Sequence, residues 1–408
     1  NASSAKDDEI GRTDRIRVPP FDTAMEHQIK EIKNSQYLQQ SPSELVQSAY
    51  LHLIDIIPAH RQHPFGTTNK PYSVEGVFCH LDWSVHKADP STVPMFKDLQ
   101  KKSPSCKATK ITMDLHTAVM AARSYDGNKK HKSMKPKGFV FHESRCGSTL
   151  VANSLAAFQP DQNRVYSESG PPITVAKMFD LKYEAESIQL IQDVIYLMGR
   201  TDDENEENLF FKIQSIGSKS IGVFRKAFPT TPWIYMYRDP VQVMKSHLKE
   251  KGTTRAVCLR SLTRPSSDLK RLVATVEQDS HASIEDLSYE EYCAAHLATL
   301  CLAAEENVID SGRLGRFVNY NELPKVLIDD IIPHHFLGRR STQALSLDAI
   351  ERIMKVNEKY SKGRHTGKMW KEDSVQKEET AWQEMKDASA KYLYPVYERM
   401  EAIRNQNP

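Results

Sequence analysis

One stretch limits the possible folds more than any other. Gly138-Phe139-Val140-Phe141-His142 is a short β-rich run, Glu143 to Thr149 follow as a turn of small and polar residues, and Leu150, Val151, Leu155 and Phe158 then repeat at helical spacing. The order is strand, loop, helix. Further along, Ile188, Ile191, Ile195 and Met198 predict a helix closed by Gly199, with an acidic turn at Asp202 to Glu207. Leu209 to Ile213 and Trp233 to Tyr237 are continuous apolar runs of the length expected for strands buried on both faces. Ser288 with Glu291 caps a helix through about Val308, and Phe317 to Tyr320 is a last candidate strand. Strands alternating with helices predict an α/β fold, a parallel β-sheet flanked by helices.

Upstream the pattern differs. Residues 1–20 are polar and end in Pro19-Pro20, an exposed lead-in. Ser41-Pro42-Ser43-Glu44 supplies an N-cap, a first-turn Pro and a capping-box Glu ahead of Leu45, Ala49, Leu53 and Ile56, which predicts a helix to about Ile57, stopped by Pro58. Pro64 to Ser105 reads as irregular with short strands. Gly127 to Lys137 is lysine-rich with little apolar content and reads as a solvated linker or exposed turn. The expected organisation is a lead-in over 1–20, a largely helical and irregular N-terminal extension over 21–135, and the α/β domain over 136–408.

Composition excludes several classes. Lys plus Arg at 55 against Asp plus Glu at 53 leaves a net charge of +2, so a globally basic nucleic-acid binder is not expected. No apolar stretch reaches the ~18 residues of a membrane span. The six cysteines, Cys79, Cys106, Cys146, Cys258, Cys293 and Cys301, contain no Cys-x-x-Cys pair, so neither a disulfide scaffold nor a zinc ribbon is indicated. His334-His335, His60 with His63 and His80 with His86 lack the mixed ligand spacing of a metal centre, and no metal is expected.

The chemistry concentrates in two places. In Arg145-Cys146-Gly147-Ser148-Thr149 a tight turn opens a helix, whose unpaired N–H groups and positive dipole can wrap a phosphate while Arg145 adds a fixed charge. A nucleotide kinase would carry Gly-x-x-x-x-Gly-Lys-Ser/Thr, and no Lys follows Gly147. The second place is Trp233-Ile-Tyr-Met-Tyr-Arg238-Asp239-Pro240, with Ser246 eight residues after the Arg. Arg238 at a strand tip and Ser246 in the next helix can converge on a second phosphate at the carboxyl edge, where open α/β sheets bind ligands.

Together these segments resemble the sulfotransferases that use 3′-phosphoadenosine 5′-phosphosulfate (PAPS), closer to bacterial-type and tyrosylprotein-type enzymes than to cytosolic phenol or steroid enzymes. The resemblance covers about residues 138–325 and implies the P-loop NTPase-like sulfotransferase fold. It implies that Arg145, Cys146, Gly147, Ser148 and Thr149 hold the 5′-phosphosulfate and that Arg238 and Ser246 hold the 3′-phosphate. Lys362-Gly-Arg364-His-Thr-Gly-Lys368-Met-Trp370-Lys is a weaker echo of the loop with which cytosolic members cover the 3′-phosphate and adenine, so Lys362 and Arg364 join the cofactor-binding set. Lys212 resembles the Lys of the family's Lys-x-His, but Gln214 stands where the base would be and could only orient a hydroxyl. Glu168 resembles the Glu that tyrosylprotein-type enzymes place after the first helix and is the expected base, with His142 and Glu143 as alternatives.

The expected activity is transfer of a sulfuryl group from PAPS to an acceptor hydroxyl on a small molecule, carbohydrate, lipid or protein side chain, without a metal, using Glu168, Lys212 and Arg145. The rivals are a nucleotide-binding scaffold of the same fold, suggested by the missing His, and more distantly a P-loop kinase. The absent initiator Met, the polar lead-in and the Asn1-Ala2-Ser3 acceptor pattern point to a processed chain in the Golgi lumen. The unpatterned cysteines point instead to the cytoplasm.

Overall fold

The computed structural model describes residues 40–58, 64–66, 69–126, 132–278, 283–359, 369 and 373–406. The lead-in, Asn1, Lys362 and Arg364 therefore lie outside the described residues.

The alternating apolar runs form a five-stranded sheet of β5 (Pro136–His142), β6 (Asn163–Ser167), β8 (Asn208–Lys212), β9 (Trp233–Tyr237) and β10 (Gly315–Asn319). All its pairings are parallel, in the order β10-β9-β5-β8-β6. Side chains alternate across a strand, so both faces of this sheet are apolar and both are covered. Phe139, Phe141, Phe211, Trp233 and Tyr235 point into the larger core cluster. Val140, Val165, Phe210, Ile234 and Met236 point into the other, beneath the helices Ser148–Ala157 and Leu347–Asn357. The helices Glu184–Met198, Ile221–Ala227 and Tyr289–Ile309 cover the larger side. Ser288 and Glu291 close the capping box that starts the last of these.

Strand β5 is central. The chain leaves it for the β6 edge, returns to β8 between them, and then crosses to β9 on the far side. The carboxyl end of β5 is thus a topological switch point, where the outgoing connections diverge and leave a crevice.

A second, antiparallel sheet, β1 (His52–Pro58), β2 (Val74–Cys79) and β3 (Ile111–Asp114), precedes the parallel one. Its Leu53, Ile56, Val74 and Phe78 join the same core cluster as Tyr166 and Ile191. The helix expected from Ser41 to about Ile57 is corrected here. It covers only Pro42–Gln47, although its capping box forms as expected. Ala49 turns left-handed at φ 56 and ends it, and the following β-branched run pairs with β2, His52 opposite Cys79 and Ile56 opposite Gly76. Cross-strand pairing overrode the local helical pattern. Of the expected linker, residues 127–131 lie outside the described set, while β4 (Lys132–Ser133) pairs with β7 (Arg200–Thr201).

The reading of the cysteines is also corrected. Cys79 bonds Cys106 and Cys258 bonds Cys293, at sequence separations of 27 and 35 with Cα atoms 4.8 and 5.0 Å apart. Neither spacing is a motif, and only the fold brings the partners within bonding reach. Cys146 and Cys301 are buried thiols. Among the described residues no helix is long and apolar enough to cross a membrane, and no group of three or more His, Cys, Asp or Glu is placed to hold a metal ion.

Candidate active site

The turn after β5 is held in a conformation that L-residues seldom adopt. Ser144 has φ 91, Arg145 φ 57 and Gly147 φ 84. Strain of this kind at a strand end marks a site that the surrounding packing enforces. At Gly147 the space is also closed, since an added Cβ would lie 2.6 Å from the ring of Tyr320. Gly147 is the N-cap of the helix Ser148–Ala157 and offers no side-chain cap; of the first-turn N–H groups, that of Ser148 is directed at the Cys146 sulfur. Arg145 is half-buried and makes no hydrogen bond or ion pair among the described residues. Ser148 is buried and Thr149 half-buried beside it. Cys146 packs beneath the turn, its Sγ–H donating to the Met236 carbonyl at 3.1 Å. Burial pushes its thiol up to about 12, which keeps it protonated at neutral pH.

On the neighbouring strand, Arg238 follows the end of β9 and is only 4% exposed. Its Nε donates to Gln242 Oε1 at 2.6 Å and its Nη2 to Ser374 Oγ at 2.6 Å, with Asp373 at 3.4 Å. The guanidinium lies 4.0 Å over the ring of Tyr320. Tyr320 therefore touches both the Gly147 turn and Arg238. Ser246 is half-buried on the helix Pro240–Leu248 but has no hydrogen bond to Arg238, whose Nε goes to Gln242 instead.

On the other side of β5, Glu168 follows β6 at φ 55. Its N–H donates to the Lys212 carbonyl at 2.8 Å, and Gln214 Nε2 donates to its carbonyl at 3.2 Å. Its carboxylate accepts from Lys212 Nζ, an ion pair in which the lysine side chain is fully buried and the glutamate 24% exposed. A reactant can reach the carboxylate but not the ammonium. His142 Nε2 lies 3.9 Å from the same Glu168 oxygen.

Glu143 points elsewhere. Its carboxyl is 1% exposed and accepts the Arg238 backbone N–H at 2.6 Å and the Cys301 thiol at 3.4 Å, which ties β5 to β9 below the turn. Burial pushes this carboxyl up to about 8.

A cleft of about 480 Å³ opens next to the turn, lined by Leu150, Tyr320, Leu323, Met354, Asn357 and Ser374 among others. No motif in the sequence marks Tyr320, Gln242 or Ser374. Tyr320 and Ser374 come from distant segments, and the one available signal for Gln242 is its place three residues after the N-cap Asp239, near Arg238.

No family model matches the chain, and no curated protein matches it. Solved structures similar to it include sulfotransferases. The sulfotransferase domain of the Synechococcus PCC 7002 olefin synthase is 14% identical and aligns over 67% of this chain and 95% of its own at TM-score 0.33. A sulfotransferase from Alicyclobacillus acidocaldarius is 14% identical over 66% of this chain and 96% of its own, at TM-score 0.31. The sulfotransferase domain from the curacin biosynthetic pathway is 14% identical over 63% of this chain and 98% of its own, at TM-score 0.35. Overlap this loose assigns no residue and no role.

Proposed function

We propose that this chain is a PAPS-dependent sulfotransferase acting on an acceptor hydroxyl. The observation that carries the reading is the convergence of three charged groups on one carboxyl edge. These are Arg145 in a strained, uncapped turn, the buried Arg238 on the adjacent strand, and the reachable carboxylate of the Glu168–Lys212 pair on the opposite side. Arg145 and the helix N-terminus suit the 5′-phosphosulfate, and Arg238 suits the 3′-phosphate. The cleft is of a size for a nucleoside, with apolar walls for a base and Asn357 and Ser374 for polar contacts.

In this reading the acceptor oxygen attacks sulfur while its proton passes to the Glu168 carboxylate. A new O–S bond forms as the bond from sulfur to the 5′-phosphate oxygen breaks, and the electron pair leaves on that oxygen beside Arg145. Lys212 keeps Glu168 in place. The two disulfides favour an oxidising compartment of the secretory pathway over the cytoplasm.

Calorimetric titration tests the ligand. Adenosine 3′,5′-bisphosphate should bind more tightly than ATP with Mg²⁺, and the reverse order would point to a kinase. Incubation with radiolabelled donor and a broad panel of hydroxyl compounds should yield products heavier by one SO₃ group. Nucleotide binding with no transfer to any acceptor would favour the scaffold reading.

A further inference from the structure

We infer that His142 is a positioning residue that joins the two strained corners of the site, and that it is not the base. Its side chain is 4% exposed at the end of β5. Its backbone is pinned by the Ser218 hydroxyl, which donates to the His142 carbonyl at 3.1 Å, and by its register opposite Met236. The strand end that carries the ring is therefore fixed.

Its Nδ1 accepts the backbone N–H of Ser144 at 3.1 Å. A ring nitrogen that accepts carries no proton, so the neutral imidazole holds its proton on Nε2. That nitrogen lies 3.9 Å from Glu168 Oε1, near the carboxylate but beyond direct hydrogen-bonding distance. One side of the ring thus holds the residue at φ 91 that starts the turn, and the other faces the carboxylate of the residue at φ 55 that follows β6. Taking a proton at Nδ1 would break the Ser144 bond, and Nε2 already carries one. Neither nitrogen suits a general base in this arrangement, whereas Nδ1 anchors the turn directly and Nε2 sets a polar N–H near the carboxylate without a direct hydrogen bond to it.

The kinetic part of the inference rests on the sulfotransferase reading, but the tautomer does not. Long-range ¹H–¹⁵N correlation of the full chain labelled with ¹⁵N-histidine, with His142 assigned by its absence in a variant, should show an unprotonated Nδ1 and a protonated Nε2. A protonated Nδ1 would overturn the inference whatever the enzyme does.

Two variants separate the arms of the ring. His142→Asn keeps an acceptor near the Nδ1 position, and His142→Gln keeps an N–H near the Nε2 position. His142→Asn should leave affinity for adenosine 3′,5′-bisphosphate unchanged and lower turnover by roughly tenfold to a hundredfold, the scale of a misplaced reacting group. His142→Gln should recover part of that turnover but bind the nucleotide more weakly, because the turn loses its anchor. If both variants abolish turnover alike with nucleotide affinity intact, His142 is the base and the inference fails. If the wild-type chain binds no adenosine 3′,5′-bisphosphate, the functional reading fails and the tautomer measurement still decides the role of the ring.

Discussion

Arg238 and Glu168 carry different predictions because the proposed reading gives them different partners, the 3′-phosphate and the acceptor hydroxyl. Arg238 is buried, with Nε and Nη2 held by Gln242 and Ser374, so its position does not depend on the ligand. Arg238→Ala should weaken adenosine 3′,5′-bisphosphate by roughly tenfold to a hundredfold, the loss of one charged hydrogen-bonding group at about 1.5–3 kcal/mol. Adenosine 5′-phosphosulfate, which lacks the 3′-phosphate, should bind the variant as it binds the wild type in the same titration. Glu168→Gln keeps the side-chain shape and removes the proton acceptor. Turnover should fall by about 10²- to 10⁴-fold while donor affinity is retained, as read by single-turnover kinetics beside titration. Glu143 gives a pH prediction. Its carboxyl is pushed up from 4.5 to about 8 by burial, so the folded protein holds a proton that the unfolded chain releases at lower pH. The stability this group contributes is complete below about 4.5 and is lost as pH rises through about 8. Glu143→Gln should flatten the fall of melting temperature over that window, and an unchanged slope would show that the carboxyl is already ionised in the folded state.

At the level of elements, the turn between β5 and its helix is the most constrained piece of backbone. Two glycines separate its causes. Gly252 has φ 77 and open space where an added methyl group would sit, whereas Gly147 has φ 84 and the Tyr320 ring 2.6 Å from an added Cβ. Gly252→Ala should cost only the left-handed penalty, about 1–2 kcal/mol. Gly147→Ala should cost more in denaturant unfolding and should also weaken nucleotide binding, because Tyr320 lies against Arg238 as well. Equal losses in the two variants would show that the Tyr320 contact gives way freely. The shortened first helix belongs to the same scale. A capping box can start a helix at Pro42, but cannot carry it through residues that a neighbouring strand holds in extended pairing.

For the molecule as a whole, the disulfides set a checkable count. Thiol titration of the unreduced, denatured protein should find two thiols, Cys146 and Cys301. Finding six would remove both bonds and the case for an oxidising compartment. The bonds close loops of 27 and 35 residues. In the chain-entropy model each stabilises the fold by about 3–4 kcal/mol, so reduction should lower the melting temperature measurably. The first joins β2 to the short helix Pro104–Ala108, and the second joins the segment after the helix Pro240–Leu248 to the start of Tyr289–Ile309. Loss of the first should therefore loosen the antiparallel sheet, and loss of the second the flank of the parallel one.

The parallel sheet was legible in the chain because its strands are buried on both faces and read as unbroken apolar runs, from Phe139 to Phe141, Leu209 to Phe211 and Trp233 to Tyr237. The turn at Arg145–Thr149 was legible because its small residues stand between two periodic segments. Both signals are local. The contact of Tyr320 with Gly147 and Arg238, the pairing of Glu168 with Lys212 beside His142, the Cys79–Cys106 and Cys258–Cys293 bonds, and the extended state of His52–Pro58 join residues far apart in the chain. Such contacts follow from strand order and from which face each helix covers, and periodicity carries no information about either. Residue pattern was enough to say what most segments become, whereas packing alone settled which segments meet and so which side chains share the site.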